Sequence, residues 1–237
     1  MRDYARVYST MNAVVFYSNT GQSKSIAKYL AEQLGYPIFD IEKIKDAYYK
    51  NLVLVFPVYC QNIPDVVKSF LKKTKIKYLT AVATYGKMCY GNVLQEIQHG
   101  YHKNIVAGAY IPTKHSYLDN DDAFGDFERL IPLVEKIKSP SKIVIPKSNK
   151  NPFANLFPTL RSRLGLKIFK NANCNNCDIC AEHCVFKAIE FGVANGKCFR
   201  CLKCVKACPN NALSFKLRLP LKLYLRKKKV DKLIIYI

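Results

Sequence analysis

Five short apolar runs punctuate the first 138 residues: Ala13-Val14-Val15-Phe16-Tyr17, Ile38–Ile41, Leu52–Phe56, Tyr78–Thr84 and Ile105–Ile111. Apart from Ile38–Ile41, which is shorter and contains Asp40, they are continuous instead of alternating with polar residues, the pattern of a strand buried on both faces. Helical spacing fills the gaps between them. Ile26, Leu30 and Leu34 form an i+4 row with Ala27 and Ala31 beside it, Gly35 stops the row and Pro37 follows. Similar patterns cover residues 64–74, 91–100 and 123–138, and Pro132 marks a start or a kink in the last. Buried strands alternating with helices predict an α/β fold, a parallel sheet covered on both sides. Residues 1–10 precede the first strand pattern at Met11 and read as a disordered extension or an upstream start.

Beyond residue 138 the pattern changes. Residues 139–170 hold four prolines and no acidic residue, and they read as a basic interdomain linker with a short helix near 154–164. A solvated connection and a fixed basic strap both fit. At 216–226 the sequence KLRLPLKLYLR alternates strictly, and a period of two predicts a strand or extended segment with one apolar face. Lys227, Lys228 and Lys229 then precede Leu233-Ile234-Ile235-Tyr236-Ile237. For this tail, packing back onto the protein or pairing in a homodimer is expected ahead of contact with a membrane surface.

Charge follows the same division. Residues 1–138 carry 18 Lys and Arg against 13 Asp and Glu, whereas residues 139–237 carry 20 against 4. A lysine-rich composition would raise glutamate as well, so a basic docking face for an acidic partner is the favoured reading. Charge alone gives only salt-sensitive attraction to nucleic acid, and no recognition motif accompanies it, so no specific nucleic-acid binding is expected.

The chemistry concentrates in two cysteine runs, Cys174, Cys177, Cys180, Cys184 and Cys198, Cys201, Cys204, Cys208, each C-x2-C-x2-C-x3-C and 24 residues apart. Three thiolates at this spacing wrap one cubane cluster while the fourth cysteine ligates the partner cluster. The repeat assigns Cys174, Cys177, Cys180 and Cys208 to one [4Fe–4S] cluster and Cys198, Cys201, Cys204 and Cys184 to the other. Zinc is the alternative, since paired C-x2-C units also bind it, but a third cysteine in each run is surplus to that scheme. Cys60 and Cys89 lie outside both runs as free thiols, and His99, His102, His115 and His183 show no metal-ligand spacing. These runs resemble the bacterial eight-cysteine ferredoxins over residues 171–215, although Val185 stands where a proline is expected after the first run. A module of that size needs its clusters as staples.

Ser18-Asn19-Thr20-Gly21-Gln22-Ser23 follows the first strand and opens the first helix. Backbone N–H groups and hydroxyls at a helix N-terminus make a phosphate site, although such a loop also serves as a plain cap. It is neither a Walker loop nor a dinucleotide fingerprint. Its S-x-T-G-x-S form resembles the FMN-phosphate loop of flavodoxins. That resemblance implies a doubly wound, five-stranded parallel sheet of order 2-1-3-4-5. It also implies that the loops after the third and fourth strands lie along the flavin ring. Their candidate contacts are Pro57, Val58, Tyr59 and Asn62 in one loop, and Thr84, Tyr85, Gly86, Tyr90, Gly91 and Asn92 in the other. Tyr59, Tyr85 and Tyr90 are the stacking candidates, with ordinary surface tyrosines the alternative.

Taken over residues 12–215, the chain resembles the flavodoxin–ferredoxin fusions of anaerobes, the ferrodoxins, most closely at Pro57 to Pro64 and Ala83 to Gly86. The resemblance implies an FMN-binding domain at 12–138, a small α+β ferredoxin domain at 171–215 and a basic, apolar tail at 216–237. It implies FMN and two [4Fe–4S] clusters. The expected function is electron transfer between these cofactors and an acidic redox protein, a ferredoxin, flavodoxin or reductase. The alternative is an FMN-dependent reductase of a small acceptor fed through the clusters. With no apolar leader and no run long enough to span a membrane, a reducing, anaerobic cytoplasm is the expected compartment.

Overall fold

The apolar runs become strands, those at Leu52–Phe56 and Tyr78–Thr84 reaching several residues ahead of their runs and that at Ile38–Ile41 ending one residue short of its own. The computed structural model describes residues 11–44, 48–118, 121–156, 158–227 and 229–237, so the reading of residues 1–10 lies outside it. The chain divides into two compact units. Among described residues, the first holds 11–115, 121–152 and 230–237, and the second holds 116–118 and 153–229.

The first unit runs β1 (Asn12–Phe16), α1 (Gln22–Leu34), β2 (Ile38–Asp40), β3 (Tyr48–Pro57), α2 (Asp65–Lys73), β4 (Lys75–Tyr85), α3 (Val93–Gly100) and β5 (Ile105–Pro112). A 3-10 turn at Phe127–Leu130 then leads into α4 (Ile131–Lys138), with Pro132 in its first turn, so the proline starts that helix instead of kinking it. The strands pair in parallel in the order β2-β1-β3-β4-β5, the doubly wound flavodoxin-like arrangement. Two apolar layers close on the sheet. Ile26, Ala27 and Leu30 of α1 and Leu133, Val134 and Ile137 of α4 cover one face, while Val67 and Leu71 of α2 and Leu94 and Ile97 of α3 cover the other.

Residues 139–152 do not run free. Ile145 is buried in this core, its N–H donates to Gln98 Oε1 (2.9 Å), and Gln98 Nε2 donates to the Ile143 carbonyl (2.8 Å). Val144 between them is exposed, so a period of two in an extended segment lays two isoleucines against the sheet.

The second unit contains α5 (Pro158–Gly165), β6 (Leu166–Lys170), α6 (Ile179–Glu182), β7 (Ile189–Glu190), β8 (Val193–Ala194), α7 (Lys203–Ala207), β9 (Leu213–Leu217) and α8 (Leu219–Leu225). β6 and β9 pair antiparallel, as do β7 and β8. The alternating tail departs from its expected form. Its first residues complete β9, but Pro220 falls in the first turn of α8, where its missing N–H costs nothing and its fixed φ suits a helix. The last residues return to the first unit as β10 (Ile234–Tyr236), antiparallel to β5, so the sheet gains a sixth, edge strand.

Candidate cofactor sites

In a doubly wound sheet, ligands sit beyond the carboxyl ends of strands where the order reverses, here between β1 and β3. The loop after β1 occupies that position. Gly21 caps α1 at φ 91°, in the left-handed region that favours glycine, with open space where a Cβ would stand. No acidic side chain lies in the first turn of α1 and no side chain caps it. Its dipole and first N–H groups therefore face the loop without a competing carboxylate. Ser18 Oγ accepts the Gly21 N–H at 3.1 Å and holds the turn.

Asn19 is the buried polar residue of this loop. Its amide donates to Tyr17 Oη (3.1 Å) and to Tyr59 Oη, while its Oδ1 is buried without a hydrogen-bond partner among the described residues. An orphaned acceptor beside an uncapped helix N-terminus fits a ligand bearing both hydroxyls and an anion. FMN is such a ligand, with its ribityl hydroxyls and phosphate.

The two neighbouring loops hold each other in place. Val58 N–H donates to the Thr84 carbonyl (2.8 Å), and Tyr59 and Asn62 exchange both backbone hydrogen bonds (3.0 and 2.8 Å) around Cys60 and Gln61. Both turn residues have positive φ (49° and 67°), as a tight two-residue turn demands. Asn62 Nδ2 donates back to the Cys60 carbonyl at 3.1 Å. Thr20, Gln22, Pro57, Val58, Tyr59, Asn62, Gly86 and Tyr90 lie partly exposed at this end of the sheet.

Several candidates turn elsewhere. Tyr85 is 2 % exposed and faces the core, where its hydroxyl donates to the Lys232 carbonyl (2.7 Å) and accepts the Lys232 N–H (3.1 Å). It has no ring face to offer a flavin, and burial pushes its pKa up to about 12. Asn92 is buried, with its amide on Gln95 Oε1 (2.7 Å) and its Oδ1 on the Ser148 N–H (2.8 Å). Gly91, at φ 66°, lies against Gln61 so closely that a Cβ would stand 2.8 Å from the Gln61 carbonyl oxygen. Ser23 and Thr84 are buried and share a hydroxyl hydrogen bond of 2.9 Å, which ties α1 to β4. Tyr90 packs its ring 4.4 Å from that of Tyr110, so most of it belongs to the aromatic row under the loop.

Lys87 is the functional-looking residue that sequence reasoning passed over. It sits in the loop after β4 at φ 54°, with its ammonium 3.5 Å from Asp121 and 3.2 Å from Asp231. Burial opposes its charge most strongly, but the two carboxylates outweigh that and hold its pKa above the ordinary lysine value. Val230 N–H donates to the Lys87 carbonyl at 2.7 Å. The C-terminal segment thus holds the loop after β4 by an ion pair, this backbone bond and the Tyr85 hydroxyl. A lone Asp231 among lysines, two residues ahead of the apolar run that starts at Leu233, was the available signal.

In the second unit the cysteines line two cavities. One is bounded by Cys174, Cys177, Cys180 and Cys208. The other is bounded by Cys184, Cys198, Cys201 and Cys204. Each cavity therefore takes three cysteines from one run and the fourth from the other. The backbone repeats with the sequence. Six of the seven non-glycine residues with positive φ among the described residues of this unit come in pairs 24 apart, Asn176 with Arg200 (58° and 60°), Asp178 with Leu202 (58° and 63°) and Lys187 with Asn211 (44° and 48°), and Phe191 (43°) stands alone. Left-handed backbone at so many side-chain-bearing residues is strained, and persists where the loop is shaped around something. Ala188 N–H points at Cys184 Sγ and Ala212 N–H at Cys208 Sγ, both at 3.3 Å, so the fourth cysteine of each run receives the same donor.

Among the described residues, no three His, Cys, Asp or Glu side chains are placed to hold a single metal ion. A mononuclear zinc site needs its ligands within about 2.3 Å of one point, whereas a cubane spreads four thiolates around its corners. The arrangement suits the larger group. Burial pushes the Cys201 thiol up to about 11 and the Cys204 thiol up to about 12. Phe186 and Phe199 stack beside that cavity, 5.6 Å apart and 17° from parallel. Tyr117, which the loop after β5 supplies to this unit, donates to the Arg200 carbonyl (2.8 Å). Cys60 and Cys89 form no disulfide and belong to the lining of neither cavity.

A family model described as a flavodoxin domain matches residues 13–102, from β1 through α3. A second, described as a 4Fe-4S binding domain, matches residues 193–214, which carry the second cysteine run. No curated protein matches the chain. Among solved structures, a putative flavoprotein from Bacteroides uniformis is 16 % identical, over 45 % of this chain and 93 % of its own, with a TM-score of 0.39. A flavodoxin from the domain Archaea is 15 % identical over 55 % of this chain and 99 % of its own, with a TM-score of 0.40. The Trp repressor binding protein from Bacillus subtilis is 15 % identical over 58 % and 99 %, with a TM-score of 0.31.

Proposed function

We propose that this chain, in which a flavodoxin domain is joined to a 4Fe-4S binding domain, carries electrons between one FMN, two [4Fe–4S] clusters and an external redox protein. Bound FMN supplies one- and two-electron chemistry, and each cluster supplies single electrons. The chain's own part is to seat these groups. The α1 N-terminus with Ser18, Thr20, Gly21 and Gln22 receives the phosphate, Asn19 Oδ1 accepts from a ligand hydroxyl, and the 57–62 turn bounds the ring site. Cys174, Cys177, Cys180 and Cys208 hold one cluster, and Cys184, Cys198, Cys201 and Cys204 hold the other.

The observation that carries the two-cluster reading is the lining of the two cavities, each with its crossed set of four cysteines. Exposed Lys187, Lys197 and Lys206 around the second run favour an acidic protein as the partner. Exchange with such a partner slows steeply as salt rises, while exchange with a small neutral reductant does not. Ten cysteines without a disulfide among them suit a reducing cytoplasm.

Crossed ligation gives a sharp test. Cys184→Ala with Cys201→Ala removes two ligands of one cavity and leaves the other cluster, whereas Cys184→Ala with Cys177→Ala harms both. Paramagnetic resonance and iron counts after anaerobic purification read the outcome. If the first pair lost both centres and the second lost only one, each run would be a self-contained site and the proposal would fail.

A further inference from the structure

The alternating leucines that predicted a strand acquire a different meaning in a helix. Two residues advance about 200° around a helix axis, so alternate positions fall into two i,i+4 rows on opposite sides. In α8 one row packs inward. Leu225 is buried, and the Leu221 Cδ2 lies 2.9 Å from where a Cβ on Gly165 would stand. The other row faces out, with Leu219 68 % and Leu223 53 % exposed.

The adjoining helix repeats the arrangement. α5 packs on α8, joined by the Arg218 N–H to the Gly165 carbonyl at 2.8 Å, and it leaves Leu160 and Leu164 41 % and 55 % exposed. Just ahead of it Phe153 and Leu156 are exposed as well. An ordinary amphipathic helix places charge on its outer row. Here the outer rows are leucine and the charges flank them. Arg218, Lys222, Arg226 and Lys227 are all exposed, and no acidic residue occurs at 139–177 or 191–230.

We propose that this α5–α8 face rests on an anionic lipid surface, its leucines in the interface and its basic side chains among the lipid phosphates. Apolar rows bordered by cations and free of carboxylates match that chemistry. A second copy of the chain would bring the same cationic border against itself. An electron-exchange partner is disfavoured by position. The helices join the antiparallel β6–β9 pair at Leu166 and Leu217, whereas Leu213 and Ile168 line the two cysteine cavities further along it. A bilayer at the helix end leaves the cavities open to a carrier. Among the described residues no helix is long and apolar enough to cross a membrane, so the contact is interfacial.

The test uses the full chain, purified anaerobically with its cofactors, and sedimentation with vesicles of phosphatidylcholine alone or mixed with phosphatidylglycerol. The expected result is binding to the mixed vesicles only. Replacing the four leucines (L160S, L164S, L219S, L223S) weakens it at least about tenfold, and so does removing charge (R218Q, K222Q, R226Q). Unchanged visible absorbance and elution volume in both variants exclude a folding defect. The proposal is overturned if the wild-type chain ignores anionic vesicles, or if the leucine variant binds them as well as the wild type. Leucine-dependent dimerisation without vesicle binding, or leucine-dependent capture of a small acidic ferredoxin without it, would also overturn it by assigning the face to a protein.

Discussion

Set side by side, the two units rest on different foundations. The first closes two apolar layers on a parallel sheet, with Leu52, Leu54, Phe56, Val53 and Val55 of β3 alone fully buried on alternating sides. Its proposed ligand site lies on loops at the strand ends and leaves that core untouched. In the second unit the cluster of buried apolar residues is Ile189, Cys204 and Leu213, with Cys180, Cys184 and Cys208 packed against it. The residues that would hold the clusters are themselves a large part of the interior. The difference teaches where a cofactor is cargo and where it is structure. On the proposed function FMN would bind to a finished fold, whereas the clusters would complete an unfinished one.

The largest expected effect breaks the comparison open. Stripping iron with a chelator under reducing conditions should unfold residues 153–229 while 11–115 keep their protection, as read by hydrogen exchange. Equal loss of protection in both units would refute the contrast. On the other side, Thr20→Asp places a carboxylate where the phosphate is expected, at a cost of several kcal/mol to flavin binding. The expected outcome is a chain without flavin but with unchanged iron content and an unchanged melting transition in the first unit.

How much of this was legible in the sequence depends on how local the signal was. β1 to β5 and the eight cysteines follow from runs, spacing and a short repeat, whereas the strand order is what the flavodoxin resemblance of the Ser18–Ser23 loop implies. Pro220 could have warned that the alternating tail begins a helix, since proline suits a first helical turn better than a strand interior. The inward turn of Tyr85 and Asn92 was not legible, because it depends on Lys232 and Ser148 arriving from distant parts of the chain. The same holds for Lys87, whose partners Asp121 and Asp231 lie 34 and 144 residues further on. Long-range polar contacts leave no periodic trace.

Those contacts sharpen the account of the first unit through smaller effects. Lys87→Met leaves the buried Asp121 carboxylate without its cation and should cost about 3 kcal/mol. Asp231→Asn, on the exposed side of the same cluster, should cost under about 1 kcal/mol. Equal losses in urea unfolding would mean that burial does not distinguish the two pairs. The smallest effect is a pH dependence. Tyr85 is held to about 12, above its ordinary 10.0, so the folded chain retains that proton more tightly than the unfolded one. Its contribution is complete below about pH 10 and is lost as pH rises toward about 12. Tyr85→Phe, which also gives up two hydrogen bonds to Lys232, should flatten this alkaline decline in the first unit.

The central claim is that one chain carries a flavin on a finished fold and two cubane clusters inside an unfinished one. Metal, acid-labile sulfide and flavin per chain, measured on anaerobically purified protein, test it most directly. The account predicts about eight iron, about eight sulfide and one FMN. Two zinc ions without sulfide, or a full complement of iron with no flavin at any stage of purification, would contradict it.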